Sequence, residues 1–186
     1  LFRSDRSLSP TGRHFVAGVL AHAAALTALA APTVNSYKRL RVGPSRSGTS
    51  WAPAHVAQGP NSRTAALRTL HGRFEWRVPD ATANPYLATA ALIAAGLDGI
   101  ERKLEPPPDC NDDLFELSAP QLRARGIGLL PQSLGEALDA LGADDLICNA
   151  LGETATQQFV QLKRDEFANY RRHISDWEWR RYAEAF

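Results

Sequence analysis

Apolar residues recur at helical spacing near the start of the chain. Phe15, Val19, His22 and Leu26 fall on one stripe, with Val16, Leu20, Ala23 and Leu29 beside it. Ser9-Pro10 opens this segment and Pro32 stops it, which predicts one long, alanine-rich helix packed closely on a neighbour. From residue 33 the pattern changes. Asn35–Leu40, Thr64–Thr69 and Arg73–Val78 read as short strands, with a long Gly/Pro/Ser-rich loop from Arg41 to Ser62. In the third strand Arg73, Glu75 and Arg77 alternate with Phe74, Trp76 and Val78. A period of two puts the charges on one face and the apolar groups on the other.

Asn84-Pro85 pairs an N-cap with proline in the first turn and starts a helix running to about Leu104. Pro106-Pro107-Pro108 breaks it, and an acidic loop follows from Asp109 to Glu116. Ser133 and Glu136 form a capping box for a helix from Leu134 to Leu141. A last helix is predicted over roughly Thr154 to Arg181, with Phe159, Leu162, Phe167, Tyr170, Ile174 and Trp177 as its apolar face. The fold class read from this pattern is α+β: a few antiparallel strands covered by helices.

Composition narrows the picture. The 186 residues include no Met and open abruptly, which reads as a piece of a longer protein. The stretch Phe15 to Ala31 is mostly alanine, is interrupted by His22, and falls short of the ~20 strongly apolar residues of a membrane span. No signal peptide is recognisable, and Cys110 and Cys148 fit no metal or redox spacing, so a cytoplasmic setting with reduced thiols is expected. No two of the five histidines sit at a metal-ligand spacing, and all read as structural or surface groups. The net charge of +1 hides an asymmetry. Residues 1–77 hold 11 Lys and Arg against two acids, whereas residues 78–186 hold 10 against 18. The first half is therefore the candidate for an anion site. Nucleic acid is set aside as the partner because no dense basic and aromatic stacking surface accompanies the arginines.

Four segments in fixed order resemble the glutamine synthetase family: Asn35-Ser36-Tyr37-Lys38-Arg39-Leu40, Arg63-Thr64-Ala65-Ala66-Leu67-Arg68, Phe74-Glu75-Trp76-Arg77, and Pro79-Asp80-Ala81-Thr82-Ala83-Asn84-Pro85-Tyr86-Leu87. Weaker similarity extends over most of the chain. The resemblance implies that residues 1–186 are the C-terminal portion of the family's catalytic domain, with the N-terminal domain and the first part of the catalytic domain lying upstream. It implies an ATP-dependent ligase that joins glutamate to ammonia or a small amine through a γ-glutamyl phosphate. The alternative is a non-catalytic scaffold of the same family. By resemblance, Arg39 and Arg77 hold glutamate; Arg63 and Arg77 assist the chemistry; Arg63, Arg68 and Arg73 face the nucleotide; and Glu75 ligates Mg²⁺ or Mn²⁺. These residue types suit the task, since phosphoryl transfer needs charge neutralisation and arginine forks onto phosphate or carboxylate oxygens. Arg63 and Arg68 differ by five, so both reach one site only if the strand begins after Arg63 or bulges. A homo-oligomer with active sites between subunits is implied, and the isolated chain is expected to be inactive.

Two departures refine this. Phe115 stands where some members carry a regulatory tyrosine, so that control is expected to be absent. Residues 40–62 contain no Asp or Glu, where better-known members carry a flap glutamate, but do contain Trp51-Ala52-Pro53. This looks closer to the γ-glutamylmethylamide synthetase branch.

Overall fold

The computed structural model describes residues 8–42, 52–60 and 62–185. Ser9 caps the first helix, α1 (Pro10–Ala21), by accepting from the amide of Gly12, and Pro10 occupies the first turn. The predicted long helix does not run on. At His22 the chain bends by 74° into α2 (Ala23–Ala30). His22 is the boundary residue of both helices, and its ring is held by two acids from other helices, described below. Helix α2 is almost wholly buried. No single helix among the described residues is long and apolar enough to cross a membrane.

The segment Asn35–Leu40, expected as a strand, contains a short helix instead, α3 (Ser36–Arg39). Thr33 and Ser36 exchange backbone-to-hydroxyl hydrogen bonds, each at 3.3 Å. That local box turns the chain into a helical turn and outweighs the alternation of polar and apolar residues. The expected loop 41–62 also needs correction, because it contains the strand β1 (His55–Gly59). This strand is buried along nearly its whole length, and its small and polar residues, Ala-Gln-Gly among them, carry no period-two signal.

β1 pairs in parallel with β2 (Ala65–Leu70), and β2 pairs antiparallel with β3 (Arg73–Trp76). A two-residue strand, β4 (Gly128–Leu129), closes the other edge, giving the order β3-β2-β1-β4. The sheet is therefore mixed rather than purely antiparallel.

Helix α4 (Pro85–Glu101) begins where the sequence predicts, with Asn84 accepting from the amides of Tyr86 and Leu87. It packs against α1 at backbone contact. A Cβ added to Gly18 would lie 2.1 Å from the carbonyl oxygen of Ala95, and one added to Gly99 would lie 2.1 Å from that of His14. Only glycine permits this approach. Ser133 caps α6 (Leu134–Gly142) by accepting from the Glu136 amide, but the box is incomplete, because the Glu136 carboxylate accepts from the Gln132 amide and the Ser133 hydroxyl rather than the Ser133 amide; the buried Leu134, Leu138 and Leu141 of α6 join Leu26, Leu29 and Leu67 in the main core. Two short helices were not foreseen: α5 (Ala119–Ala124) and α7 (Asp145–Leu151). The expected last helix is two helices, α8 (Glu153–Arg172) and α9 (Asp176–Tyr182), because Ser175 and Glu178 form a new capping box between them. Its predicted apolar face is only half used. Phe159 and Phe167 pack on the core, whereas Leu162, Tyr170, Ile174 and Trp177 are exposed. Helices and sheet together make an α+β fold.

Candidate active site

The site is built on the outer hairpin of the sheet. β2 and β3 pair in a register that sets Arg68 directly opposite Glu75. Side chains opposite one another on antiparallel strands share a face, and Arg73 and Arg77 share it by alternation. The opposite face carries Phe74, Trp76 and Val78 into the core, with the Phe74 ring 5.7 Å from that of Phe15. The two-faced strand read from the sequence is thus present, and its apolar half anchors its polar half.

On the polar face three guanidinium groups surround one carboxylate. Glu75 oxygens lie 3.5 Å from Arg68 Nη1, 3.4 Å from Arg73 Nη2 and 3.4 Å from Arg77 Nη1. Burial pushes the Glu75 carboxyl up, but the hydrogen bond from Arg73 and the charges of Arg68, Arg73 and Arg77 outweigh it and hold the group below the usual glutamate value. Arg68 and Arg77 are mostly buried and Arg73 is exposed. The Nε of Arg68 is buried with no hydrogen-bond partner among the described residues.

Arg39 reaches this face from α3. Its guanidinium donates to the carbonyl of Val78, just beyond β3. Burial lowers its pKa, Asp80 opposes that, and the neighbouring charge of Arg77 lowers it further. Arg39 and Arg77 are therefore close enough to repel, an arrangement that an incoming anion relieves. Asp80 falls in one of the four resembling segments but was given no role there, although its Asx-turn spacing to Thr82 was a usable signal. It accepts from the Thr82 amide and hydroxyl at 2.8 and 2.5 Å, and its own amide donates to Ala30. It thereby fixes the turn between β3 and α4 beside Arg39. Arg63 is exposed in the turn before β2, so the strand begins after it, one of the two conditions for Arg63 and Arg68 to serve one site. Trp51 lies outside the described residues, while Ala52 and Pro53 are buried.

A divalent metal prefers oxygen donors, and Glu75 is a charged oxygen donor on the polar face. It fits as one ligand of a set. Among the described residues no group of three or more His, Cys, Asp and Glu could hold a metal ion.

A second polar cluster lies elsewhere. His22 Nδ1 is 2.6 Å from Asp144 and Nε2 is 3.1 Å from Asp98, which also pairs with Arg102 at 2.9 Å. It ties the α1–α2 bend to α4 and to the start of α7. A third histidine, His55 on β1, is wholly buried 5.8 Å from the ring of Phe115.

The hairpin sets three arginines around one carboxylate, with Arg39 of α3 alongside, a wall whose chemistry suits anions. Residues 1–182 match the glutamine synthetase catalytic domain, and the chain belongs to that family. It is 52% identical over 187 residues to the glutamate–methylamine ligase of Methyloversatilis universalis, covering 99% of this chain and 42% of that protein. It is 43% identical over 185 residues to the glutamine synthetase of Halobacterium salinarum, covering 97% of this chain and 39% of that one. Among solved structures, one described as a GmaS–ADP complex superposes with a TM-score of 0.85 at 39% identity, covering 99% of this chain and 42% of that chain. The chain thus spans about two fifths of the length of these relatives.

Proposed function

We propose that the protein to which this chain belongs is an ATP-dependent glutamate–amine ligase that accepts methylamine or a similar small alkylamine at least as well as ammonia. The observation that carries the ligase reading is the convergence of Arg68, Arg73 and Arg77 on Glu75, with Arg39 alongside. The γ-carboxylate oxygen of glutamate attacks the terminal phosphorus of ATP, and ADP leaves. The amine nitrogen then attacks the acyl carbon, phosphate departs, and the nitrogen loses a proton. Both steps move negative charge that preorganised guanidinium groups stabilise.

Each residue takes a role suited to its place. Arg39 holds the substrate carboxylate. Arg77, mostly buried on the polar face, steadies the γ-carboxyl as it becomes an acyl phosphate. Arg68, Arg73 and Arg63 face the nucleotide and the transferring phosphate. Glu75 holds Mg²⁺ or Mn²⁺ together with ligands from the rest of the protein, and the ion supplies charge neutralisation at the phosphates. In this family such sites form between subunits, and a homo-oligomer fits that scheme.

The acceptor reading rests on residues 40–62, which hold no Asp or Glu to attract ammonium and take its proton. The same stretch carries the apolar sequence Trp51-Ala52-Pro53, to which the acceptor reading assigns the methyl group. One methyl so buried is worth about 1–3 kcal/mol, roughly 10–200-fold in specificity. The name of the 52% identical relative agrees with it. The test is kcat/KM for methylamine and ammonia in the full-length protein, at equal free-base concentration with ATP and glutamate saturating. Methylamine equal or better is expected. A clear preference for ammonia overturns the acceptor reading, and no glutamate-dependent phosphate release with either amine overturns the ligase reading.

A further inference from the structure

Away from the arginine wall, α3 meets the helical half of the fold. Val34, Tyr37 and Lys38, the α6 cap Ser133, and Phe167 and Tyr170 of α8 line a cavity of about 180 Å³. A cavity of about 150 Å³ takes benzene, so this one suits a molecule of about six to ten non-hydrogen atoms. Some of the polar groups around it are already committed. The Ser133 hydroxyl donates to Glu136 and accepts from its amide, and Gln132 Nε2 donates to the carbonyls of Leu40 and Leu130. Two others are not. Tyr37 is only 6% exposed, and its hydroxyl is buried with no hydrogen-bond partner. A buried polar group left unpaired costs free energy, and an acceptor brought by a ligand removes that cost. Burial, and after it the charges of Asp80 and Glu136, push the phenol above its ordinary value, so it keeps its proton and has a donor to offer. Lys38 reaches over the ring of Tyr170, its Nζ 5.9 Å from the centroid, and no carboxylate of the described residues pairs with it.

We propose that this cavity is a second binding site, which takes a small monocarboxylate with a short apolar body. The Tyr37 hydroxyl and the Lys38 ammonium donate to the carboxylate, and Val34 and Phe167 pack on the apolar part. Both open groups are donors, so the ligand must bring the acceptor, and the charge on Lys38 favours an anion. Phosphate fits less well, because no guanidinium fork lines the cavity. The site uses none of the residues assigned to the ligase reaction and stands independently of that reading.

The probe is benzoate, titrated calorimetrically into the full-length protein without ATP or glutamate. Saturable binding in the millimolar range or tighter is expected, with benzyl alcohol, of similar size but uncharged, about tenfold weaker. Tyr37→Phe keeps the ring in place and removes a hydroxyl that pairs with nothing in the chain, so the variant folds; it is expected to bind benzoate about tenfold more weakly than wild type. Lys38→Gln, at an exposed position, is expected to weaken binding about two- to fivefold. No saturable binding up to about 10 mM benzoate overturns the proposal. Binding that Tyr37→Phe leaves unchanged also overturns it, because the benzoate then sits on the arginine wall or elsewhere. Equal affinity for benzyl alcohol overturns the carboxylate class. None of these readouts requires turnover, so failure of the ligase reading is distinguishable from failure of this site.

Discussion

Replacing His22 with phenylalanine tests how the helical half is held together. The imidazole stands between Asp144 at 2.6 Å and Asp98 at 3.1 Å, and all three side chains are only 12–14% exposed. Both carboxylates accept only, and a ring N–H is what the imidazole has to offer them. Phenylalanine keeps the planar bulk and removes the ring nitrogens. Leaving a buried acceptor without its donor costs about 1–3 kcal/mol, and more when the acceptor is charged. Two compensations lower the figure here. Asp98 keeps Arg102 at 2.9 Å, and Asp144 keeps the Ile147 amide at 3.1 Å as the cap of α7. The expected loss is about 2 kcal/mol, in the middle of that range. This chain spans about two fifths of its relatives' length, so the shift of about 2–4 °C per kcal/mol for a 150–250-residue domain shrinks in proportion, to a lowering of about 2–3 °C in calorimetry of the full-length protein. Adding Asp144→Asn to His22→Phe removes one stranded charge and should restore part of the loss, a non-additivity expected of groups in contact. A loss below about 1 kcal/mol, or no recovery in the double variant, refutes the stranded-charge argument.

Two further outcomes follow from the geometry. Arg77→Lys keeps the charge but not the planar fork, so kcat should fall at least tenfold with no relief at saturating substrate; a change confined to KM would assign Arg77 to ground-state binding instead. Burial holds His55 below its ordinary value of 6.5, with Asp113 opposing, so the unfolded chain takes up the proton first: stability is full above pH 6.5 and is lost as pH falls from there toward the depressed folded value. Urea titrations from pH 7.5 to 5 should show that decline in wild type and a flatter profile in His55→Leu, and parallel profiles would refute it.

What the sequence made legible followed from strong local rules. The alternation in Arg73–Val78 was readable because β3 is an edge strand with one face in the core and one outside, the situation in which period two survives. Asn84-Pro85 and Ser133–Glu136 were readable because capping is decided within four residues. The misreadings share a different cause. The bend at His22 depends on Asp98 and Asp144, which lie 76 and 122 residues away. β1 is buried on both faces, so nothing in its own sequence announces a strand. The apolar stripe of α8 and α9 was real, but the described residues cover only its first part. At the site, residue types were legible one by one, while the sharing of Glu75 among three arginines required the register of β2 on β3.

That register also limits what this wall of the site does alone. A hard divalent ion of the Mg²⁺ type takes about six oxygen ligands, usually including several waters and substrate phosphates around one or two carboxylates. Glu75 is the one carboxylate in the arginine fan, and its neighbours there are cations that hold it ionised but add no donor to a metal. A metal approaching this face meets the guanidinium groups of Arg68, Arg73 and Arg77 around that carboxylate, and the described residues form no cluster of three or more acids, histidines or cysteines to receive it. Phosphate meets the opposite field. On the ligase reading the wall suits the anions of the proposed reaction better than its cation, and further metal ligands are expected from elsewhere in the full-length protein. On the ligase reading, the 186 residues tested alone should show no glutamate-dependent phosphate release at any Mg²⁺ concentration, while the full-length protein does. Turnover by the isolated chain would mean that the fan assembles a metal site without further carboxylates, against the charge balance the geometry sets.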